Sequence, residues 1–233
     1  MNAYRKRLVR PIGGAFCAAS LATLFLSSCH GSFCAGFDGC FSDNGVQTIA
    51  LSGTAAVGGP ALASAAVRAD CAEGSGATIS DGNGNYSLTF AAALPCVLTA
   101  NLGGTTLHSL AFAGGTFNTT PETELMLVYL AAQLGTDTAH LIRNLPSNGH
   151  YQQVLESQSA VSAAQGAVVA NLQQRYAVKL TTAAFLTTPF TVGLSAEDAD
   201  LATLANAGAI DANGMPDPAA VALLSQAGAA NPL

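Results

Sequence analysis

The sequence predicts an α+β protein in which an N-terminal antiparallel β-sandwich (residues 46–118) precedes a small C-terminal α-helical domain (residues 119–233). In the first part, short apolar runs are separated by glycine clusters, as in antiparallel β proteins. In the second part, apolar residues recur at helical spacing behind residues that favour helix starts. Half of the 233 residues are hydrophobic and only 9% are charged, a composition far too apolar for a disordered chain.

The first 28 residues have the features of a secretory signal peptide. Four basic residues within positions 1–10 precede an uncharged apolar run over residues 12–26. This run is shorter than the roughly 20 residues that a membrane-spanning helix needs. We therefore expect a cleaved segment rather than a permanent transmembrane helix.

The next residues, Leu26-Ser27-Ser28-Cys29, resemble the lipobox of bacterial lipoproteins. The resemblance implies that Cys29 becomes the first mature residue and carries acyl chains such as palmitate, and more than one chain makes a stable membrane anchor. An ordinary signal peptide with Cys29 as a spare thiol is the alternative. His30 stands where an Asp would favour the inner membrane in enteric bacteria, so the resemblance implies the outer membrane of the cell envelope.

The charge balance excludes a basic surface for nucleic acid. Without the signal peptide, four basic residues remain against all 14 acidic ones, a net charge of −10. Anionic lipid headgroups would repel such a chain. We therefore expect the lipid, rather than a charged patch, to hold the protein on a membrane.

The four cysteines after Cys29 predict two disulfides, because four is an even number in an exported chain. Three connectivities are possible, and the local one pairs Cys34 with Cys40 and Cys71 with Cys96. A metal site is the alternative, but the Cys34–Cys40 spacing is not that of a zinc knuckle. Residues 29–45 are otherwise rich in Gly and Ser and read as a tether.

Six strands are expected in the β part, at residues 46–52, 65–70, 77–80, 86–91, 96–102 and 105–113. The stretch Ser80-Asp81-Gly82-Asn83-Gly84-Asn85-Tyr86-Ser87 places three oxygen-bearing side chains at alternate positions, as a calcium loop does. However, Tyr86 stands where such a loop needs Gly, and Ala92 where it needs Glu. A hairpin turn between paired strands is the favoured interpretation.

Residues 53–67 (GTAAVGGPALASAAV), followed by Asp81-x-x-Gly84-x-Tyr86, are similar to the carboxypeptidase regulatory-like domains. The resemblance covers about a third of the chain. It implies a transthyretin-like (prealbumin or Ig-like) sandwich that is a non-catalytic accessory module. Nothing in the chain resembles the peptidase domain or its zinc ligands.

Four helices are expected in the α part. Thr120 and Pro121 mark the first start, and residues 125–134 form an apolar run that reads as a buried helix, with a membrane-dipping segment as the minority interpretation. The second is expected to run without a break over residues 151–176. The third and fourth are expected to start at Ser195 and at Asp217.

No pattern in the sequence predicts a catalytic, metal or cofactor site. His108 is expected to be a satisfied core or rim residue, while His140 and His150 flank one loop and are the best candidates for a general base. Ser195 reads as a helix cap rather than a nucleophile. The acidic residues at helix starts are explained by the helix dipole alone; they are Glu122, Glu124, Glu197, Asp198 and Asp200.

We therefore expect a lipid-anchored lipoprotein of the cell envelope, without enzymatic activity or cofactor, that acts as a structural or binding module for a protein or glycan. One alternative is a small periplasmic or surface hydrolase with a site between the two parts, built from His140 or His150 and a helix-start acid. A carrier of a hydrophobic ligand is another alternative, and it would need a closed apolar cavity of at least about 300 Å³.

Overall fold

The computed structural model describes residues 46–233, in which six strands precede six α-helices, as an α+β protein requires. The strands are β1 (Gln47–Thr54), β2 (Ala66–Glu73), β3 (Ser75–Ile79), β4 (Asn85–Leu102), β5 (Thr105–Ala111) and β6 (Gly115–Thr116). The helices are α1 (Pro121–Gln133), α2 (Thr138–Asn144), α3 (Gly149–Glu156), α4 (Gln158–Tyr176), α5 (Ala196–Asn206) and α6 (Pro218–Ala229). A 3-10 turn, Leu145–Ser147, precedes α3.

Strand β4 is 18 residues long and organises the whole sheet. Its first part pairs with β1, from Asn85 opposite Thr54 to Ala92 opposite Gln47. Its second part lies between β2 and β5. β3 extends the sheet beyond β2, whereas β6 extends it beyond β1. The β1–β6 pair is parallel, which differs from the all-antiparallel sheet that the sequence predicts.

The sequence predicts two strands where β4 is continuous, and the error lies at Pro95. Proline lacks a backbone N–H and is normally confined to edges or bulges of sheets. In the β2–β4 pair, Cys71 faces Cys96 and Glu73 faces Ala93, so that residues 94 and 95 lie opposite the single residue 72. The proline therefore occupies a bulge, where no ladder hydrogen bond is lost and the strand continues.

The predicted hairpin at residues 80–87 is wrong, although the turn itself is present. β3 pairs with β2, and the part of β4 that follows the turn pairs with β1. The turn is therefore a crossover from one edge of the sheet to its centre. Local turn chemistry favours a chain reversal but does not determine which strands become partners.

Helix starts are confirmed better than helix lengths, although Ser195 at the start of α5 makes no capping hydrogen bond and its hydroxyl instead accepts from the Thr191 N–H. Thr120 caps α1 through a hydrogen bond from the Thr123 N–H, and Asp217 caps α6 through the Ala219 N–H. The single helix predicted over residues 151–176 is wrong, because the chain breaks at Ser157, whose hydroxyl accepts from the Ala160 N–H and starts α4. Helix α2 was not predicted at all; Asp137 caps it.

The sheet and the helices of residues 46–233 share one hydrophobic core. α1 packs against β5 and also against α4 and α6, so it forms the link between the two parts. Its apolar run is buried, as predicted. Within residues 46–233, no single helix is long and apolar enough to span a membrane. Helix α1 and the helical segment Thr138–Ser147, which are bent by 81° relative to each other, pass the same length and composition test only when taken together.

Candidate functional site

The sequence-predicted cysteine sites divide between two parts of the chain. Cys29, Cys34 and Cys40 lie outside the described residues. Cys71 and Cys96 face each other across β2 and β4 and form a disulfide, as predicted. Both cysteines are buried, so the disulfide joins the two neighbouring strands within the core.

In the turn after β3, the side-chain oxygen atoms of Asp81 accept hydrogen bonds from the turn itself. Asp81 Oδ1 accepts hydrogen bonds from the Asn83 and Asn85 N–H groups at 2.8 and 2.9 Å. Its other oxygen lies 3.2 Å from the Asn85 amide nitrogen. These bonds to the charged form lower the pKa of the Asp81 carboxyl. The side chain that resembled a calcium ligand holds the turn together.

Three histidines of the described chain occupy two kinds of position. The imidazole Nδ1 of His108 lies 2.8 Å from a Glu124 oxygen, which also accepts from the His108 N–H, so this residue is satisfied as predicted. His140 in α2 and His150 in α3 flank the connection between these helices, as predicted, and both are exposed. In residues 46–233, neither imidazole hydrogen-bonds to an acid or a hydroxyl, the contact that the hydrolase alternative requires.

The helix-start acids are the most unusual chemical feature of the described structure. Glu122 in the first turn of α1 and Glu197 in the first turn of α5 expose only 0% and 1% of their surface. Each carboxyl group influences the pKa of the other, so the two groups lie close together. As two ionised carboxylates they would both be acceptors, and all four oxygens would then be buried without a donor. We refer to these two residues as the carboxyl pair.

Burial is the main reason why the pKa of each member of the carboxyl pair is raised. The nearby negative charge of Asp200 raises both pKa values further. The Thr182 hydroxyl acts in the opposite direction on the pKa of Glu197, but burial outweighs it. Burial and the charge of Asp200 therefore both favour the protonated form of the pair.

The helix dipole alone does not explain Glu122 and Glu197. It predicts acids that are exposed to solvent at two separate helix starts, whereas these two are buried. A better signal was present in the helical period. Glu122 lies four residues before the buried Met126, and Glu197 lies four before the buried Leu201, so each acid continues an apolar face. That period predicts burial, but it does not predict that the two faces meet.

Buried polar side chains hold the irregular connecting segment, residues 177–195, between α4 and α5. Asp200 accepts from the Thr181 and Thr182 N–H groups at 2.8 and 2.7 Å. Gln165 on α4 accepts from the Leu186 N–H at 3.0 Å. Because none of these backbone groups belongs to a helix or strand ladder, the side chains supply their hydrogen bonds.

Asn118 makes the corresponding connection from the sheet. Its Oδ1 accepts from the Thr54 N–H of β1 at 3.2 Å, while its amide nitrogen donates to the carbonyl oxygens of Phe185 and Thr188. The Asn118 side chain is fully buried. One side chain thus links the end of β1 to the connecting segment.

Two open grooves lie on the described surface, and neither is lined by the carboxyl pair. One has a volume of about 510 Å³ and runs between the end of β5, β6 and the start of α4; its side-chain lining includes Phe112, Thr116, Gln158, Ser162, Gln165 and Thr187. The other has about 470 Å³ and follows the outer edge of β1 beside Gly114 and Gly115. Both open to solvent, in contrast to the closed apolar cavity that a hydrophobic-ligand carrier needs.

No group of three or more potential metal-binding His, Cys, Asp or Glu residues occurs within positions 46–233. Comparison with protein-family models, with curated proteins and with solved structures finds no match to this chain. The two family resemblances drawn from the residues therefore stay predictions.

Proposed function

We propose that the protein is a lipid-anchored lipoprotein of the cell envelope, with the outer membrane as its location, and that it acts as a non-enzymatic structural or binding module for a protein or glycan. The observation that carries this proposal is the Leu26-Ser27-Ser28-Cys29 motif directly behind a basic start and an apolar run. Acyl chains on Cys29 would anchor the chain.

One further observation supports export, and another supports the covalent anchor. The Cys71–Cys96 disulfide is the kind of bond that persists in oxidising compartments outside the cytoplasm. The surplus of acidic residues also leaves the chain without a basic patch for anionic lipids, so that a membrane location needs the covalent anchor.

The finer proposal for the β part is a transthyretin-like sandwich of the carboxypeptidase regulatory-like type. The ladder arrangement supports it, because β4 carries β1 on its first part and both β2 and β5 on its second part. A strand shared in this way allows two layers to form over one core. The alternation of buried Tyr86 and Leu88 with exposed Ser87 and Thr89 fits a strand with one buried face.

The groove between β6 and α4 is the best candidate for the partner surface. It combines the half-buried ring of Phe112 with the exposed amide of Gln158 and the hydroxyl of Ser162. An aromatic face beside hydrogen-bonding groups suits a peptide or a sugar ring.

The anchor is tested by Cys29→Ala, with Cys17→Ala in the apolar run of the signal segment as the matched control. In a bacterial host supplied with labelled palmitate, we expect the wild type and Cys17→Ala to incorporate label and to sediment with membranes. Cys29→Ala should lose both properties, because no thiol remains at the modification position. Continued labelling or membrane association of Cys29→Ala would show that the proposed anchor is wrong.

A further inference from the structure

Within residues 46–233, no cation forms an ion pair with the carboxyl pair, and Lys179 of the connecting segment is exposed. The ion pairs found in the described part of the chain are Arg68–Asp70 and His108–Glu124, and neither involves the pair. Asp200 of α5 adds negative charge beside the pair.

The elements packed on α1 offer no positive charge to the pair either. On β5 the ionisable side chain is His108, which Glu124 already engages. α6 contains no ionisable side chain. The charged residue of α4, Arg175, is exposed in the last turn, whereas the buried Gln165 of that helix bonds to Leu186. On α2, His140 and Arg143 are both exposed.

A proton satisfies this site better than a metal ion does. Ca²⁺ takes six to eight oxygen ligands and Mg²⁺ an octahedral six. The third nearby carboxylate, Asp200, already accepts from the Thr181 and Thr182 N–H groups. A single proton between Glu122 and Glu197 turns one of two acceptors into a donor and makes a hydrogen bond at a site where ionised carboxylates have none.

We propose that Glu122 and Glu197 share a proton and act as a pH-sensitive latch that joins the start of α1 to the start of α5. The latch holds closed the connecting segment, residues 177–195, whose backbone is bound by Asp200, Gln165 and Asn118. When the proton leaves, two buried negative charges repel each other beside Asp200. Separation of α5 and the connecting segment from α1 relieves that repulsion by admitting water.

The direction of the pH effect follows from proton uptake. An unfolded glutamate has an ordinary pKa near 4.5, and in the folded protein both pKa values of the carboxyl pair are raised. Above pH 4.5 the folded state therefore binds more protons than the unfolded state, and stability falls as pH rises. Each extra proton held by the folded state lowers the folding equilibrium constant about tenfold per pH unit. Below the ordinary pKa the carboxyl pair contributes no pH dependence.

The test measures urea unfolding of the detergent-solubilised full-length protein from about pH 5 to about pH 9, where the linkage acts. We expect the folding equilibrium constant of the wild type to fall with rising pH. Glu122→Gln and Glu197→Gln should each flatten this dependence, because a glutamine amide donates the same hydrogen bond without a titrating proton. Glu156→Gln, at an exposed site on α3, is the matched control and should keep the wild-type slope. An equal slope in the wild type and in both latch variants overturns the proposal.

A second measurement does not depend on the folding of any variant. The chain contains five glutamates, at positions 73, 122, 124, 156 and 197, so selective ¹³C labelling of their carboxyl carbons leaves few signals to resolve. We expect at least one glutamate carboxyl signal of the folded wild type to show a protonated acid at about pH 7, well above the usual pKa range. Addition of EDTA should leave that signal unchanged. If all five groups are ionised at that pH, or if EDTA removes a bound cation and shifts a signal, the shared proton is excluded.

Discussion

At the scale of single residues, the tightest point of the sheet is the contact among Gly53, Tyr86 and Phe117. The Tyr86 hydroxyl donates to the Phe117 carbonyl oxygen and lies 3.0 Å from the Thr119 hydroxyl. Its complete burial raises the pKa of the phenol, so the group stays a neutral donor. Gly53 faces this pair of atoms, and it lies opposite Tyr86 in the β1–β4 ladder.

We predict that Gly53→Ala lowers the free energy of unfolding by about 2 to 3 kcal/mol, because a methyl group there overlaps packed atoms. A Cβ on Gly53 would collide with the Phe117 carbonyl oxygen and lie 2.7 Å from the Tyr86 hydroxyl oxygen. Gly82→Ala is the matched control, since nothing lies within 4 Å of its added Cβ, and it should change stability by less than about 0.5 kcal/mol. Urea unfolding measures both, and equal effects would contradict the close packing.

Burial of the two acids of the carboxyl pair was only partly predictable at this scale. Glu122 and Glu197 each carry the spacing of an apolar helix face, which a stricter use of periodicity detects. Their contact joins residues 75 positions apart, and no local pattern encodes that separation. His108 was easier to interpret, because it shares a strand face with Leu110, and the structure half-buries it.

At the scale of elements, starts of helices were predictable and breaks were not. A cap such as Thr120 acts through bonds to residues within one turn, so its signal is local. The apolar face of the sequence continues through the break between α3 and α4, so periodicity does not reveal it. Ser157 is both the C-cap of α3 and the N-cap of α4.

We predict that Ser157→Ala destabilises the protein by about 1 kcal/mol, the usual effect of losing a helix cap. The Ser157 hydroxyl accepts from the Ala160 N–H at 3.3 Å, and alanine leaves that donor without a partner. Ser162→Ala, an exposed position inside α4, is the control and should be neutral or slightly stabilising, because alanine favours helix interiors. Thermal unfolding followed by circular dichroism compares the two variants, and no difference between them would show that Ser157 does not start the helix.

Strand positions were also predictable, whereas strand partners were not. The alternation of apolar and polar residues predicts that Tyr86 and Leu88 are buried and that their neighbours are exposed. Pairing is decided by contacts over long separations, such as β1 with β6, and by the bulge at Pro95 that allows β4 to continue. The predicted hairpin failed for this reason.

At the scale of the whole molecule, the described residues form one compact unit. The sequence predicts a β part and an α part, and the composition change near residue 118 is real. However, Asn118 itself bonds to β1 on one side and to the connecting segment on the other, and α1 packs on β5. The residue at which strands give way to helices therefore also hydrogen-bonds the β part to the connecting segment of the α part.

We predict that residues 46–233 unfold in a single cooperative transition, because separating the helices from the sheet would expose the shared core and break these bonds. Differential scanning calorimetry of the full-length protein should show one heat-absorption peak with equal calorimetric and van't Hoff enthalpies. Two resolved transitions, or independent folding of a fragment spanning residues 46–118, would contradict this expectation.

The hydrogen bond from the Thr54 hydroxyl to the Phe190 carbonyl oxygen connects residues 136 positions apart. A ribosome releases β1 long before it has made the segment that covers the end of that strand. During this interval the strand displays its buried face and an incompletely paired edge, features that favour aggregation of nascent chains. Completion of this fold therefore waits for the last quarter of the chain, and a holding chaperone would protect the early strands until export is complete.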